Sequence, residues 1–214
     1  MKLTIFGANG AIGQHLVTLA LTAGHDVTAY VRRQNTLRMS HENLNIIVGS
    51  LTNVNQLKKA IQESDVVMSA LGPALSMKRQ VTGLPIAEAH KAIMTAMEQT
   101  GRKRFITLAT PTIGAKEDVK QLVTTLPSKM AKVLYPTGYA EMKAIEELIK
   151  KSSLDWTVVR IINPNVKTDG QGYAITLGDA KGKMGVSRLN AAKCMLDAAS
   201  KDEWIVKMPI VFNK

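Results

Sequence analysis

The chain has 214 residues, enough for one well-cored domain, and its 45% hydrophobic and 21% charged residues are ordinary for a globular protein. The formal net charge is +11, yet the basic residues are dispersed and aromatics make up only 4%, which argues against nucleic-acid binding as a main role. No apolar run approaches the roughly 20 residues that a membrane-spanning helix needs, so no membrane partner is expected.

The N-terminal stretch "MKLTIFG" moves straight into a strand, without a basic leader and cleavage site. A single cysteine, Cys194, cannot form an internal disulfide. Both features fit an expected cytoplasmic location.

Strand and helix patterns alternate from the start. "KLTIFG" precedes a helix over about Ala11 to Ala23, and "HDVTAYVR" is followed by a short linker and "LNIIVGS". Then come a helix over "NVNQLKKAIQES", the strand "DVVMSALG", a helix over "PIAEAHKAIMTAMEQTG" and the strand "RFITLAT". Residues Pro111 to Tyr135 read as an excursion with one or two helices. The rhythm resumes with a helix from about Thr137 to Ser152 and the strand "DWTVVRII".

The last fifty residues hold two strand-like pieces around Gly178, a helix over "RLNAAKCMLDAAS", and strands either side of Pro209. Successive βαβ units with near-continuous apolar strands predict an α/β fold, a doubly wound parallel sheet covered on both faces. The expected organisation is a single domain over residues 1–214, with a core over 1–162 and a small C-terminal lobe over 163–214.

Where the first strand hands over to its helix, the sequence reads "GANGAIG", comprising Gly7, Asn9, Gly10, Ala11, Ile12 and Gly13. Gly7 permits a tight turn, Gly10 lets a pyrophosphate approach the backbone, and Gly13 allows close helix–strand packing. Asn9 could bond a phosphate oxygen or brace the turn. At the head of a βαβ series this loop predicts dinucleotide binding.

The second strand selects the cofactor. An acidic residue at its end would hold the ribose 2′-OH of NAD, but this strand ends "AYVRR", and Asp26 lies too far back to serve. Arg32 and Arg33 offer planar, charged donors suited to a 2′-phosphate. NADP(H) is therefore expected over NAD(H).

Together these residues resemble the short-chain dehydrogenase/reductase superfamily, within it the atypical NAD(P)-binding group that includes NmrA-like proteins and the biliverdin-IXβ/flavin reductase type. "GANGAIG", "VRR", "VGSLTN", "SALG", "SSLDWTVVR" and "VSRLNAAKCML" carry the resemblance over nearly the whole chain. It implies a Rossmann-type fold, with Ser50 and Leu51 at the third-strand turn and Ala70, Leu71 and Gly72 beside the cofactor. Three departures stand out. Ser50 replaces the usual acid, Ile161 replaces the usual proline after Arg160 (the proline being displaced to Pro164), and the 111–135 excursion is longer than a minimal member needs.

The resemblance also implies a catalytic site. Active members use a Tyr-x-x-x-Lys pair, and "YAEMK" supplies Tyr139 and Lys143 on the helix before the sixth strand. Spaced i and i+4, they share a helix face, where an ammonium would favour the tyrosinate. Lys143 would also bond the nicotinamide ribose. Thr110 matches the Ser/Thr position that binds the substrate oxygen.

Other groups read as structural. The four histidines show no metal-ligand spacing, so no metal site is expected. Cys194 shares a helical stripe with Ala191, Met195 and Ala198, a core pattern, and Met94, Met97 and Trp156 read as packing residues.

The expected function is an NADPH-dependent reductase acting on a small carbonyl, quinone, enone or flavin-like acceptor, as a monomer or homodimer. The alternative is a non-catalytic NADP(H)-binding redox sensor acting through a protein partner.

Overall fold

The computed structural model describes residues 1–73, 81, 83–119, 122–180 and 182–214. In chain order its elements are β1 (Lys2–Phe6), α1 (Ala11–Thr22), β2 (Asp26–Val31), β3 (Leu44–Val48), α2 (Val54–Ile61), β4 (Val66–Ser69), α3 (Pro85–Gln99) and β5 (Arg104–Ala109). There follow α4 (Leu122–Leu134), α5 (Pro136–Lys151), β6 (Asp155–Arg160), β7 (Asn163–Val166), β8 (Tyr173–Thr176), β9 (Gly185–Ser187), α6 (Arg188–Asp197) and β10 (Ile210–Asn213).

Eight strands make the main sheet, in the order β3-β2-β1-β4-β5-β6-β10-β8. All neighbours pair in parallel except β10 and β8, which run antiparallel at one edge. The chain thus moves outward from β1 in one direction, returns, and continues through β4 in the other. That reversal opens a crevice beyond the carboxyl ends of β1 and β4, where ligands of such sheets bind. The Rossmann-type α/β fold expected from the sequence is present.

Period-two alternation explains how the sheet is buried. Leu3 and Ile5 of β1 join one core layer with Leu16, Val17 and Ala20 of α1 and Ala191, Cys194 and Met195 of α6. Phe6 faces the other layer, with Tyr30, Leu57, Ile93, Met97, Phe105 and Ile145 from the side carrying α2, α3 and α5. Cys194, Met94, Met97 and Trp156 are all buried, as the helical and strand patterns predict.

Helix starts follow local chemistry. The Asn53 side chain accepts the Gln56 N–H at 3.2 Å to begin α2, Pro85 sits in the first turn of α3, and the Ser187 hydroxyl accepts the Asn190 N–H at 3.0 Å to begin α6.

The C-terminal segment departs from the expected strand pattern. Only Ile210–Asn213 forms a strand near Pro209; before it, Lys207 makes a single bridge to Thr157. Val206 has φ 59°, a left-handed turn that breaks extension, and Pro209 lacks an N–H for a ladder.

Beyond β8 the Thr176 hydroxyl accepts the N–H groups of Gly178 and Ala180, at 3.1 and 3.2 Å, and bends the chain away. The strand β7, which contains Pro164, pairs with β9 in a separate two-stranded ribbon, where a proline costs few ladder bonds. Residues 163–214 therefore contribute α6 and two strands to the main layers as well as this ribbon.

Candidate functional site

The glycine loop lies at the crevice. Gly7 adopts φ +76°, and a Cβ there would meet the backbone of Ala70 and Leu71 at 2.8–2.9 Å. A Cβ on Gly13 would lie 2.0 Å from the Gly7 carbonyl oxygen, so α1 can close onto the loop only without one. Gly10 differs: its Cβ would meet only that same oxygen, at 3.1 Å, and its outer side is open.

Gly10 is also the N-cap of α1, with no side-chain cap and no acidic residue in the first turn. The N–H groups of Ala11, Ile12 and Gly13 therefore lack intrahelical acceptors at the positive end of the helix dipole, which suits a phosphate. Among the described residues the Asn9 side chain makes no hydrogen bond; its main-chain carbonyl accepts the Gln14 Nε2 at 3.0 Å.

Arg32 and Arg33 follow β2 directly and are exposed, with no carboxylate partner among the described residues. At the end of β3, Ser50 is held by its N–H to Gln56 Oε1 at 3.0 Å, while its carbonyl accepts the Tyr30 hydroxyl at 3.0 Å. Leu51 packs against the core beside it. Ala70, Leu71 and Gly72 leave β4 over the glycine loop, and the Leu71 N–H donates to Ser69 Oγ at 3.4 Å.

A cleft of about 840 Å³ continues from this crevice over the carboxyl ends of β4, β5 and β6. Leu71 and Gly72 form one wall, Thr110 and Ala109 the floor, and Leu126, Met130 and Leu134 of α4 the opposite wall. Met142 and Tyr135 from α5 and its N-cap, and Ile161 to Asn165 after β6, complete it. The lining is mostly apolar.

The structure brings Thr110 into this cleft with Tyr135. Tyr139 and Lys143 lie on α5 outside the cleft's lining. Tyr139 is half-buried, its ring centroid 6.0 Å from the Lys132 Nζ. Lys143 Nζ donates to Glu146 Oε2 at 2.6 Å, and no hydrogen bond joins it to the Tyr139 phenol among the described residues. Glu146 also accepts from Lys150 Nζ at 2.6 Å and the Gly114 N–H at 3.1 Å; these bonds hold its carboxyl below the usual carboxylate range despite the opposing effect of burial, the largest single influence.

The sequence model of the NAD(P)H-binding family matches residues 7–202, from the first glycine of the loop through α6. The chain belongs to the NAD(P)H-binding family. This agrees with the resemblance to the atypical dehydrogenase/reductase group read from the same residues. The YwnB protein of Bacillus subtilis (strain 168) is 22% identical over 209 residues, covering 95% of this chain and 94% of its own.

A 3-beta-hydroxysteroid dehydrogenase of Mycolicibacterium neoaurum is 27% identical over 155 residues, 68% of this chain but only 41% of that enzyme. Among solved structures, a short-chain dehydrogenase/reductase of Veillonella parvula in complex with NADP superposes with a TM-score of 0.80 at 20% identity. It covers 99% of this chain and 94% of the other.

For an NAD(P)H-binding chain the residues present fit the cofactor. The uncapped α1 turn and the open side of Gly10 form a cradle that any Cβ would fill, and two exposed guanidinium groups stand at the end of β2. No described helix is long and apolar enough to cross a membrane, and no described cluster of His, Cys, Asp or Glu could hold a metal ion.

Two supports beneath the site escape sequence reading. His90 of α3 is fully buried, with Nδ1 2.8 Å from the Ile86 carbonyl and Nε2 3.2 Å from Ser69 Oγ and 3.0 Å from Thr107 Oγ1. A carbonyl only accepts, so Nδ1 carries the proton and Nε2 receives the hydroxyls. Burial pushes the imidazole down to about 4, leaving it neutral under the cofactor loop.

Glu141 is buried too. Its Oε1 accepts the Ile86 N–H at 3.0 Å and its Oε2 the Ala87 N–H at 2.7 Å, capping α3 from α5. Tyr135 is one of the cleft residues that sequence reading missed. Its one sequence signal is an aromatic directly before Pro136, the first residue of α5.

Proposed function

We propose that this protein is an NADPH-dependent reductase that delivers hydride to a small carbonyl, quinone, enone or flavin-like acceptor held in the apolar cleft. One observation carries this reading. The glycine cradle and the cleft both open along the carboxyl edge of the parallel sheet, and Leu71, whose N–H lies against Gly7, also lines the cleft.

The dihydronicotinamide supplies the hydride when bound. The chain's own residues do the rest. The α1 N–H groups hold the pyrophosphate, Arg32 and Arg33 take the 2′-phosphate, and Ser50 and Leu51 border the adenine side. Thr110 donates its hydroxyl to the acceptor oxygen, and the apolar walls exclude water from the reacting carbon. A phenol at the start of α5 gives the proton. Tyr135, the residue before α5, lines the cleft, whereas Tyr139 does not, and Tyr139 with Lys143 serves only if Lys143 leaves Glu146.

The Lys143–Glu146 ion pair favours one second reading, a non-catalytic NADP(H)-binding sensor, because it occupies the group that would tune Tyr139. A fluorescence titration with NADPH and with NADH, followed by an acceptor panel, tests both. The expected result is NADPH binding that weakens at least tenfold, about 1.4 kcal/mol, in an Arg32→Ala, Arg33→Ala variant, with NADPH oxidation by one or more acceptors. Binding without oxidation by any acceptor would point to the sensor, and binding of neither nucleotide would overturn both readings.

A further inference from the structure

The cleft carries a charge that its own walls leave unanswered. Arg188 is the one charged side chain among the described residues lining it. Its Nη2 donates to the neutral Asn165 Oδ1 at 3.3 Å, and no carboxylate pairs with it among the described residues. Among the described residues the remaining guanidinium donors have no acceptor.

The position makes that lack more telling. Arg188 is the first residue of α6, where the positive end of the helix dipole disfavours a cation, and the first turn holds no acid to offset it. The helix end is not itself the anion site, since the Ser187 hydroxyl already caps it. The same cleft exposes apolar surface: Leu126 is 55% exposed, Met130 50% and Met184 54%. Apolar groups left in water in a cleft whose described lining holds one guanidinium without a carboxylate partner fit a ligand with an apolar body and one anionic end.

We propose that Arg188 selects the acceptor, and that the cleft takes an apolar carbonyl or quinone compound bearing a carboxylate or a like anionic oxygen group. The guanidinium pairs that group through two N–H donors, and the apolar body rests on Leu126, Met130 and Met184. This rests on the reductase reading for turnover. The pairing itself is independent of any chemistry in the cleft.

The test uses the full chain in two arms. In the first, NADPH oxidation is followed with 1,4-naphthoquinone and with 1,4-naphthoquinone-2-sulfonate, in the native protein and in Arg188→Gln and Arg188→Lys. The expected result is that Arg188→Gln raises the KM for the sulfonate at least tenfold more than the KM for the neutral quinone, with kcat for the two changing in parallel. Arg188→Lys recovers part of that loss. Equal KM changes for both acceptors would overturn the proposal, as would a raised KM for NADPH with no acceptor discrimination, which would assign Arg188 to the cofactor.

In the second arm, binding of redox-inert naphthalene-2-sulfonate and of naphthalene is measured by fluorescence. A tenfold loss confined to the sulfonate in Arg188→Gln supports the anion site even if neither quinone is reduced, in which case the reductase reading fails alone. No preference for the sulfonate in the native protein would sink the proposal whatever the turnover.

Discussion

Arg160 and Asp118 form a two-pronged ion pair, with Nη1 2.5 Å from Oδ2 and Nη2 2.7 Å from Oδ1, and Arg160 is fully buried. The same guanidinium donates from Nε to the Met208 carbonyl at 2.8 Å and from Nη1 to the Ile113 carbonyl at 3.3 Å. One side chain at the end of β6 therefore ties down the loop after β5 and the segment entering β10.

Asp118→Ala would leave the guanidinium buried and unpaired, a change that costs about 3–5 kcal/mol. The expected fall in Tm is about 10 °C. Replacing both partners by apolar residues, in Asp118→Leu with Arg160→Met, should recover most of it. Thermal unfolding of the two variants checks this; equal losses would assign the cost to packing rather than to the stranded charge.

How much of this was readable from the sequence depends on distance along the chain. The strands are legible because both sheet faces are covered, so that all four residues of Val66–Ser69 are buried and the segment reads as one apolar run. The glycine loop is legible because its turn, its close approach and its helix start lie within seven consecutive residues. The Arg160–Asp118 pair is not, for its members are 42 residues apart and neither position is marked by composition. Nor does i, i+4 spacing reveal which wall a helix face meets. Tyr135 and Tyr139 are four residues apart and share a helical spacing, yet Tyr135, the residue before α5, lines the cleft and Tyr139 does not.

Gly10 and Gly13 should separate cofactor binding from folding. A Cβ at Gly13 collides with the Gly7 carbonyl at 2.0 Å, backbone that cannot give way, so Gly13→Ala should lower stability and binding together. At Gly10 the one contact is 3.1 Å, and the residue has ordinary φ of −74°. Gly10→Ala should keep Tm within about 3 °C, roughly 1 kcal/mol, yet weaken NADPH at least tenfold by filling the side a phosphate approaches. Paired melting and titration curves decide it; a stable Gly10→Ala protein with native affinity would remove the pyrophosphate from that position.

His90 should give the protein an acid-sensitive step. Its folded value of about 4 lies below that of an unfolded histidine, near 6.5, because burial penalises the charged ring. Between those values the unfolded chain binds a proton that the folded chain refuses. This contribution is therefore full above pH 6.5 and is lost as pH falls toward 4, amounting to roughly 2 kcal/mol between pH 7.5 and 5. Urea midpoints across that range should decline in the native protein and decline less in His90→Asn. An unchanged slope in the variant would place the acid sensitivity elsewhere.

The two tyrosines at the start of α5 make opposite predictions for the proton donor. Tyr135 lines the cleft with Thr110, whereas Tyr139 stands outside it and its would-be partner Lys143 is bound to Glu146 at 2.6 Å. A positioned acid contributes about 100-fold or more to a proton-coupled reduction. Tyr135→Phe should then lower kcat about 100-fold, while Tyr139→Phe changes kcat less than about threefold. The reverse pattern would mean that cofactor binding draws Lys143 away from Glu146 and restores the Tyr139–Lys143 pair. In that case Glu146→Gln, which weakens the competing ion pair, should raise kcat in the native background and leave Tyr139→Phe unaffected. If both phenylalanine variants retain full turnover, the proton comes from water and the phenols serve only the shape of the cleft.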